Sequence, residues 1–201
     1  MQQELTEKTE IWKAMPRNNS AELALADKFF DEELMPISLK MFAEKHSGQI
    51  KPEYDGMVLT LGTSWQPLAL SISFLKPKKI LFLCTPETLP QLDILVKFLN
   101  LPKECFACAH VGRSDSSLIY DTMFKWSKEF GAECRLCADI TGGTKAMASA
   151  AAMMAAMLGM DIFYVESRYL PLYRRPEPGS EYLKQLENPQ NFIRRSTGAV
   201  K

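Results

Sequence analysis

Two periodicities divide the chain. From Ser20 to His46 apolar residues recur at helical spacing. Leu23, Phe30 and Leu34 form an approximate stripe in AELALADKFFDEEL, and Ile37, Met41 and Phe42 form another around SLKMFAEKH. Ser20 is the expected cap of the first stretch, and Pro36 the expected break between the two. The segment closes in the turn-like KPEYDG. From Met57 onward short apolar runs alternate with helical ones. The runs 57–61 (MVLTL), 79–84 (KILFLC), 104–111 (ECFACAHV), 133–140 (ECRLCADI) and 161–167 (DIFYVES) read as strands. Between them lie WQPLALSISFL, with Pro67 in its first turn, and then LPQLDILVKFLN. A third helix is expected over 115–130, with Ile119, Met123, Trp126 and Phe130 on one face and Gly131 as its stop. The last is rich in alanine and methionine and ends at Gly159.

Near-continuously apolar strands separated by helices predict a parallel sheet covered on both faces. Right-handed crossovers make this an α/β fold, a Rossmann-like, doubly wound, mainly parallel sheet with an N-terminal helical segment. The expected organisation is a helical segment over 1–54, a ligand-binding domain over 55–170, and a C-terminal segment over 171–201. That last segment reads as a turn and a short helix within YRRPEPGSEYLKQLENP, followed by a polar tail with Arg194 and Arg195.

Folds of this kind bind ligands beyond the carboxyl ends of their strands, near the switch in strand order. The four loops there are LGTSWQP, TPET, GRSDSS and TGGTK, all small, polar and rich in hydroxyls. Loops at the other edge, SFLKPKK and FGAE, lack that enrichment. TGGTK is the sharpest of the four. Gly142 and Gly143 allow a ligand close to the backbone. The amides that open the following helix carry about half a positive charge, which favours a phosphate there. Lys145 adds a full charge, and Thr141 and Thr144 add hydroxyls. Gly62, Thr63 and Ser64 offer donors from the first loop, and Arg113, Ser114 and Asp115 offer polar groups from the third. Met147 lies one turn into the helix, where it can meet a base, whereas Met153, Met154 and Met157 read as core filler.

Charge sharpens this expectation. The 24 basic and 24 acidic residues cancel, so nothing advertises a duplex nucleic-acid or anionic-membrane binder, and any anion must be held by a local site. With 46% hydrophobic residues the chain has material for a real core. No run reaches the roughly 18 apolar residues of a membrane span. The start, MQQELTEKTE, lacks a signal-peptide core, so a cytoplasmic location with reduced cysteines is expected.

Several chemistries are set aside. Cys105 and Cys108, and Cys134 and Cys137, have zinc-like spacing, but each pair lies in a stretch expected to be extended. There residues three apart face opposite ways, so they read as core cysteines and no metal is expected. The pattern GxxxxGK[ST] is absent, as is GxGxxG. Ser64 sits where hydrolases carry an activated serine, yet Gln66 occupies the last position of GxSxG. The two histidines, His46 and His110, come with no triad context, and catalytic residues are left unassigned.

The glycine-threonine-serine loop after the first strand, together with DITGGTKAM after the fourth, resembles the CARF family, the CRISPR-associated Rossmann fold of type III CRISPR ancillary effectors. The resemblance covers about 55–170 and extends toward RRPEPGSEYL, and the first 50 or so residues do not map onto it. It implies a homodimer whose shared cleft binds a cyclic oligoadenylate, a second messenger of antiviral defence, with four adenylates as the commonest ring and six as the alternative. Gly142, Gly143, Thr144 and Lys145 would then hold phosphates or riboses, and Thr63 and Ser64 would line the cleft. Arg113, Ser114 and Asp115 would also belong to the site, Ser114 and Asp115 meeting a ribose or adenine edge. No separate cofactor is implied. Some family domains slowly cleave the ring through its ribose 2′-hydroxyl, so a ring nuclease is a second reading, and a module for an unrelated phosphorylated nucleotide is a third. Members usually fuse the sensor to an effector. Only about 35 residues follow the fifth strand, too few for another enzyme domain. The sequence favours a sensor cut from a longer effector over a standalone one.

Overall fold

The computed structural model describes residues 1–48 and 53–196. Its secondary structure is eight α-helices and eight strands, in the order α1 (Gln2–Ala14), α2 (Ser20–Phe29), α3 (Met35–Lys45), β1 (Gly56–Thr60), α4 (Gln66–Leu75), β2 (Lys79–Cys84), α5 (Leu89–Leu99), β3 (Phe106–His110), α6 (Ser116–Ser127), β4 (Leu136–Asp139), α7 (Lys145–Met157), β5 (Asp161–Glu166), β6 (Tyr169–Leu170), β7 (Arg175–Pro176), β8 (Tyr182–Leu186) and α8 (Pro189–Ser196). The chain divides into two compact units, Met1–Ile50 with Glu166–Tyr182, and Lys51–Val165 with Leu183–Lys201.

The second unit carries the α/β fold. Its six strands run in the order β3-β2-β1-β4-β5-β8, with parallel pairing of β3 to β2, β2 to β1, β1 to β4 and β4 to β5. All five residues of β1 are buried, as expected of a central strand covered on both faces. Right-handed crossovers send α4 and α5 to one face and α6 and α7 to the other. On the α6–α7 face, Val58, Leu81, Leu83, Ala138 and Ile162 of the sheet meet Ile119, Met123, Trp126, Met147, Ala150 and Ala151. Between β1 and β4 the strand order reverses, and Leu59 pairs with Asp139 just before both strands end. The loops GTS and TGGTK therefore leave the sheet side by side, at the place where this architecture binds ligands.

The first unit is helical, with the β6–β7 hairpin added. Trp12 packs edge-on against Phe30 with centroids 5.1 Å apart, and Arg17 lies over Trp12 at 5.0 Å and over Tyr173 at 4.9 Å. His46 is fully buried, with Nδ1 2.8 Å from the Phe42 carbonyl oxygen.

Several local expectations are corrected. Asn19, not Ser20, caps α2: its side chain accepts from the Glu22 amide at 2.9 Å, while Glu22 accepts from the Asn18 amide. Pro36 does not break the helix. A π-turn at Phe30–Leu34 lets the Met35 amide bond to the Phe30 carbonyl, and Pro36 then sits in the first turn of α3, where a missing N–H is tolerated. Leu23 is 47% exposed and outside the stripe, whereas Phe30 and Leu34 are buried. Helix α6 stops at Ser127, short of Phe130, which packs edge-on against Trp126. β3 and β4 are shorter than 104–111 and 133–140, so Cys105 lies in a 3₁₀ turn and Cys134 in the turn before β4. Met153 and Met157 are 57% and 73% exposed, not core. YLKQL, expected as helix or turn, is β8 at the edge of the sheet beside β5, and the short helix follows at α8.

Candidate ligand site at the carboxyl edge of the sheet

Backbone crowding creates the floor of the site. A Cβ on Gly142 would lie 2.2 Å from the Thr60 carbonyl oxygen, and one on Gly62 would lie 2.8 Å from the Gly143 nitrogen. Gly143 has φ +77°, in the left-handed region that favours glycine. Only glycines allow the β1 and β4 loops to approach this closely. The contact is fastened by the Thr60 hydroxyl, which donates to the Gly142 carbonyl at 2.7 Å.

Beneath the loop, Asp139 is fully buried and accepts the Thr141 amide at 2.7 Å. Burial pushes its carboxyl above the ordinary value of 3.8, against the opposing pull of hydrogen bonds from Ser71 and Thr141. The Thr141 hydroxyl accepts the Val165 amide at 2.8 Å, tying the loop to β5. Thr144 is the N-cap of α7, accepting from the Met147 amide at 3.2 Å and donating to the Arg113 carbonyl at 2.6 Å. One hydroxyl thus joins the fourth loop to the third and caps one first-turn amide at the positive end of α7.

Above this floor is a cavity of about 240 Å³, walled by Leu61, Gly62 and Thr63 from the first loop, Thr85, Glu87 and Thr88 from the second, Arg113 from the third, Gly143 and Thr144 from the fourth, and Met147 from the first turn of α7. Of the twelve candidate residues, Gly62, Thr63, Arg113, Gly143, Thr144 and Met147 line it. Met147 is buried, and its methyl is 3.4 Å from where a Cβ on Gly143 would be. Gly142 and Thr141 build the floor instead. Lys145 is exposed at the start of α7, next to the wall rather than in it. Ser64 is half-buried, and Ser114 is exposed, both outside the lining. The Asp115 carboxylate caps α6 by accepting the Leu118 amide at 2.9 Å.

The second loop was legible as one of four polar loops, but no residue of it was singled out. Its Thr85–Thr88 turn is a capping box that turns Glu87 toward Arg113, 3.5 Å away. A hydrogen bond from Thr85 lowers the Glu87 carboxyl below its usual range. Both members of the ion pair are more than half exposed, so it is a weak latch. His110 ends β3 on the exposed rim, outside the cavity lining.

Cys108 meets Cys84 of the neighbouring strand, a contact that holds the Cys84 thiol well above its usual range. Among the described residues no group of three or more His, Cys, Asp or Glu side chains could hold a metal, and no helix is long and apolar enough to cross a membrane.

No protein-family model matches the chain. A curated relative, the CRISPR system endoribonuclease Csm6 of Thermus thermophilus, is 32% identical over 173 residues. The match takes in 82% of this chain and 36% of that protein, so the chain spans about a third of its length. Two solved structures share the fold. Can2 from Sulfobacillus thermosulfidooxidans in complex with cyclic tetra-adenylate aligns with a TM-score of 0.50 at 20% identity, over 56% of this chain and 32% of its own. Enterococcus italicus Csm6 bound to cyclic hexa-2′-fluoro-hexa-dAMP aligns with a TM-score of 0.51 at 11% identity, over 73% and 46%.

Proposed function

The chain belongs to the CARF family, and from that membership we propose that it is a cyclic oligoadenylate sensor of type III CRISPR defence. It binds the ring in the cytoplasm across a homodimer and passes the signal to an effector, fused or separate. One observation carries the reading: four hydroxyl-rich loops meet at the switch point of a parallel sheet over a glycine-only floor, with a helix N-terminus, Arg113 and Lys145 at its rim. Nothing in that set is a metal ligand cluster; the loop amides, Arg113 and Lys145 suit phosphates, and the hydroxyls and the Glu87 carboxylate suit ribose hydroxyls.

Two features support the ring over a lone nucleotide. The solved relatives of this fold carry cyclic adenylates of four and six units. The cavity, about 240 Å³, is below the roughly 300–1,000 Å³ of drug-sized sites, so each protomer holds only part of such a ring. Four adenylates are the preferred size, by the resemblance, with six as the alternative.

The test is calorimetric titration with cyclic tetra-adenylate and cyclic hexa-adenylate in parallel. One tetra-adenylate ring per two chains is expected. One ligand per chain, or binding of mononucleotides with equal affinity, would replace the sensor with a module for a phosphorylated metabolite. Chromatography of a labelled ring after prolonged incubation reads out the ring-nuclease alternative directly, because only cleavage yields linear products.

A further inference from the structure

Helix α1 carries a polar residue in the middle of its buried face. Leu5, Thr9 and Trp12 form that face, spaced as one stripe, and among the described residues nothing hydrogen-bonds to the Thr9 hydroxyl. Thr6, Glu10 and Lys13 lie beside the stripe. With Thr9, Arg168 and the turn Glu177–Ser180 they wall a cleft of about 170 Å³, all of it within the first unit. None of these residues lines the carboxyl-edge cavity.

The turn that forms the far wall is fixed on several sides. The Glu177 amide donates to the Arg168 carbonyl at 2.7 Å, and the Ser180 hydroxyl donates to the Glu177 carbonyl at 2.7 Å. The same hydroxyl accepts the Arg168 amide at 3.0 Å, and the Lys45 ammonium donates to the Gly179 and Glu181 carbonyls at 2.9 Å each. Gly179 has φ +81°, and a Cβ on it would lie 2.6 Å from Leu5 Cδ2, so glycine lets the turn press onto α1. The cleft is therefore held open by a wall that is already in place.

Its charges alternate in sign. On the helix, the Lys13 ammonium donates to Glu10 at 2.8 Å; on the other wall, Arg168 pairs with Glu177. Lys13 and Glu177 are the sheltered members, 27% and 21% exposed, while Glu10 and Arg168 reach outward. Hydrogen bonding to Glu10 raises the Lys13 ammonium above its usual value, and the Glu177 carboxylate adds to this from the opposite wall. Such a pattern is selective. A simple anion meets Glu10 and Glu177 as well as the two cations, and a simple cation meets Lys13 and Arg168. A zwitterion sets its ammonium at Glu177 and its carboxylate at Lys13, gaining charged hydrogen bonds at both ends with no net charge left over. Volume limits its size. A cavity of about 150 Å³ takes a benzene, so 170 Å³ suits an α-amino acid with a short side chain, and Leu5 and Pro178 in the lining give that side chain apolar neighbours.

We propose that this cleft in the helical unit binds a zwitterionic α-amino acid with a short side chain, at a site separate from the carboxyl-edge cavity. The proposal does not rest on the ring-binding reading. The full chain is melted with each of the standard L-amino acids at millimolar concentration, and those that shift the transition are measured by calorimetry. Matched probes carry one charge each: propionate lacks the ammonium of alanine, and ethylamine lacks its carboxylate.

An amino acid the size of alanine, serine or threonine is expected to raise the melting temperature. Propionate, ethylamine and tryptophan are expected to leave it unchanged. Glu177→Gln and Lys13→Met should each weaken binding by about tenfold or more, the loss of one charged hydrogen bond, and Lys13→Arg should retain it. Melting without ligand checks the fold of each variant; if Glu177→Gln disturbs the turn, Lys13→Met decides alone. The proposal is overturned if no amino acid shifts the transition, if the singly charged probes shift it equally, or if binding survives Lys13→Met. Titration of Lys13→Met with cyclic tetra-adenylate keeps the two sites apart. Ring affinity is expected to be unchanged there, and a loss of ring and amino acid together would overturn a separate site.

Discussion

Gly142→Ala gives the most direct test of the floor. The added methyl would be placed 2.2 Å from the Thr60 carbonyl oxygen and 2.9 Å from the Gly62 nitrogen, against an ordinary contact of 3.4–4 Å. The obstacles are backbone atoms at the end of a fully buried central strand, so the loop must give way rather than the sheet. A retreat of about 1.2 Å, the difference between 3.4 and 2.2 Å, takes the 2.7 Å Thr60–Gly142 hydrogen bond beyond bonding distance. Overpacking and the lost bond together cost about 1–3 kcal/mol of stability. The same retreat misaims the loop amides and the start of α7, and losing one charge-assisted contact of about 1.5–3 kcal/mol weakens binding by roughly 10- to 150-fold. Calorimetry with cyclic tetra-adenylate measures the affinity, and chemical denaturation measures the stability. Gly131→Ala is the control, since a Cβ there meets nothing within 4 Å. If folded Gly142→Ala binds within twofold of the original, the glycine floor does not position the ligand and the site assignment fails.

Lys145→Ala should weaken ring binding by about 10- to 100-fold, the loss of one charged hydrogen bond, with unchanged melting because the side chain is exposed. A flat binding isotherm series from low to high salt in the parent chain would count against a phosphate contact there. Asp139→Asn tests a carboxyl whose folded value is raised. The native protein holds this proton where the unfolded chain has released it, so its contribution is complete below 3.8 and is lost as pH rises toward the raised value. Denaturation curves should therefore show Asp139→Asn gaining stability relative to the parent from acid toward neutral pH, and no change in the gap would refute a buried acid. Glu181, buried and pushed up to about 7 from 4.5, works in the same direction: stability falls by about 3 kcal/mol between those values, and Glu181→Gln should flatten that slope in urea titrations across pH 4–8.

Much of the α/β unit was legible because it is written locally. Buried parallel strands such as KILFLC are apolar without interruption, and the helices between them carry their own period and stops. TGGTK was legible for the same reason, as two glycines, a cap and a cation within five residues. What escaped is non-local. YLKQL buries only Leu183, and its strand character comes from pairing beside β5. The hairpin at Tyr169–Pro176 clusters with helices more than a hundred residues earlier in the chain. The π-turn that absorbs Pro36 has no signature in composition. Thr85, Glu87 and Thr88 were visible as a polar loop, but their place in the wall follows from β2 lying next to β1, which no single segment encodes. Met153 and Met157 read as core because apolar residues usually are, yet both face solvent, which only their place on α7 relative to the sheet decides.

The glycine floor also divides the site into what can vary and what cannot. Gly62 packs backbone to backbone against Gly142 and Gly143, and Gly142 against Thr60, so the atoms proposed to receive the anion are the same atoms that seal the sheet at its switch point. A change there alters folding and binding together. The walls are under no such joint constraint: Thr63, Glu87 and Arg113 line the cavity from three different loops and Met147 from the first turn of α7. On the proposed reading, substitutions at those four positions should alter ring size or base preference while leaving the floor intact.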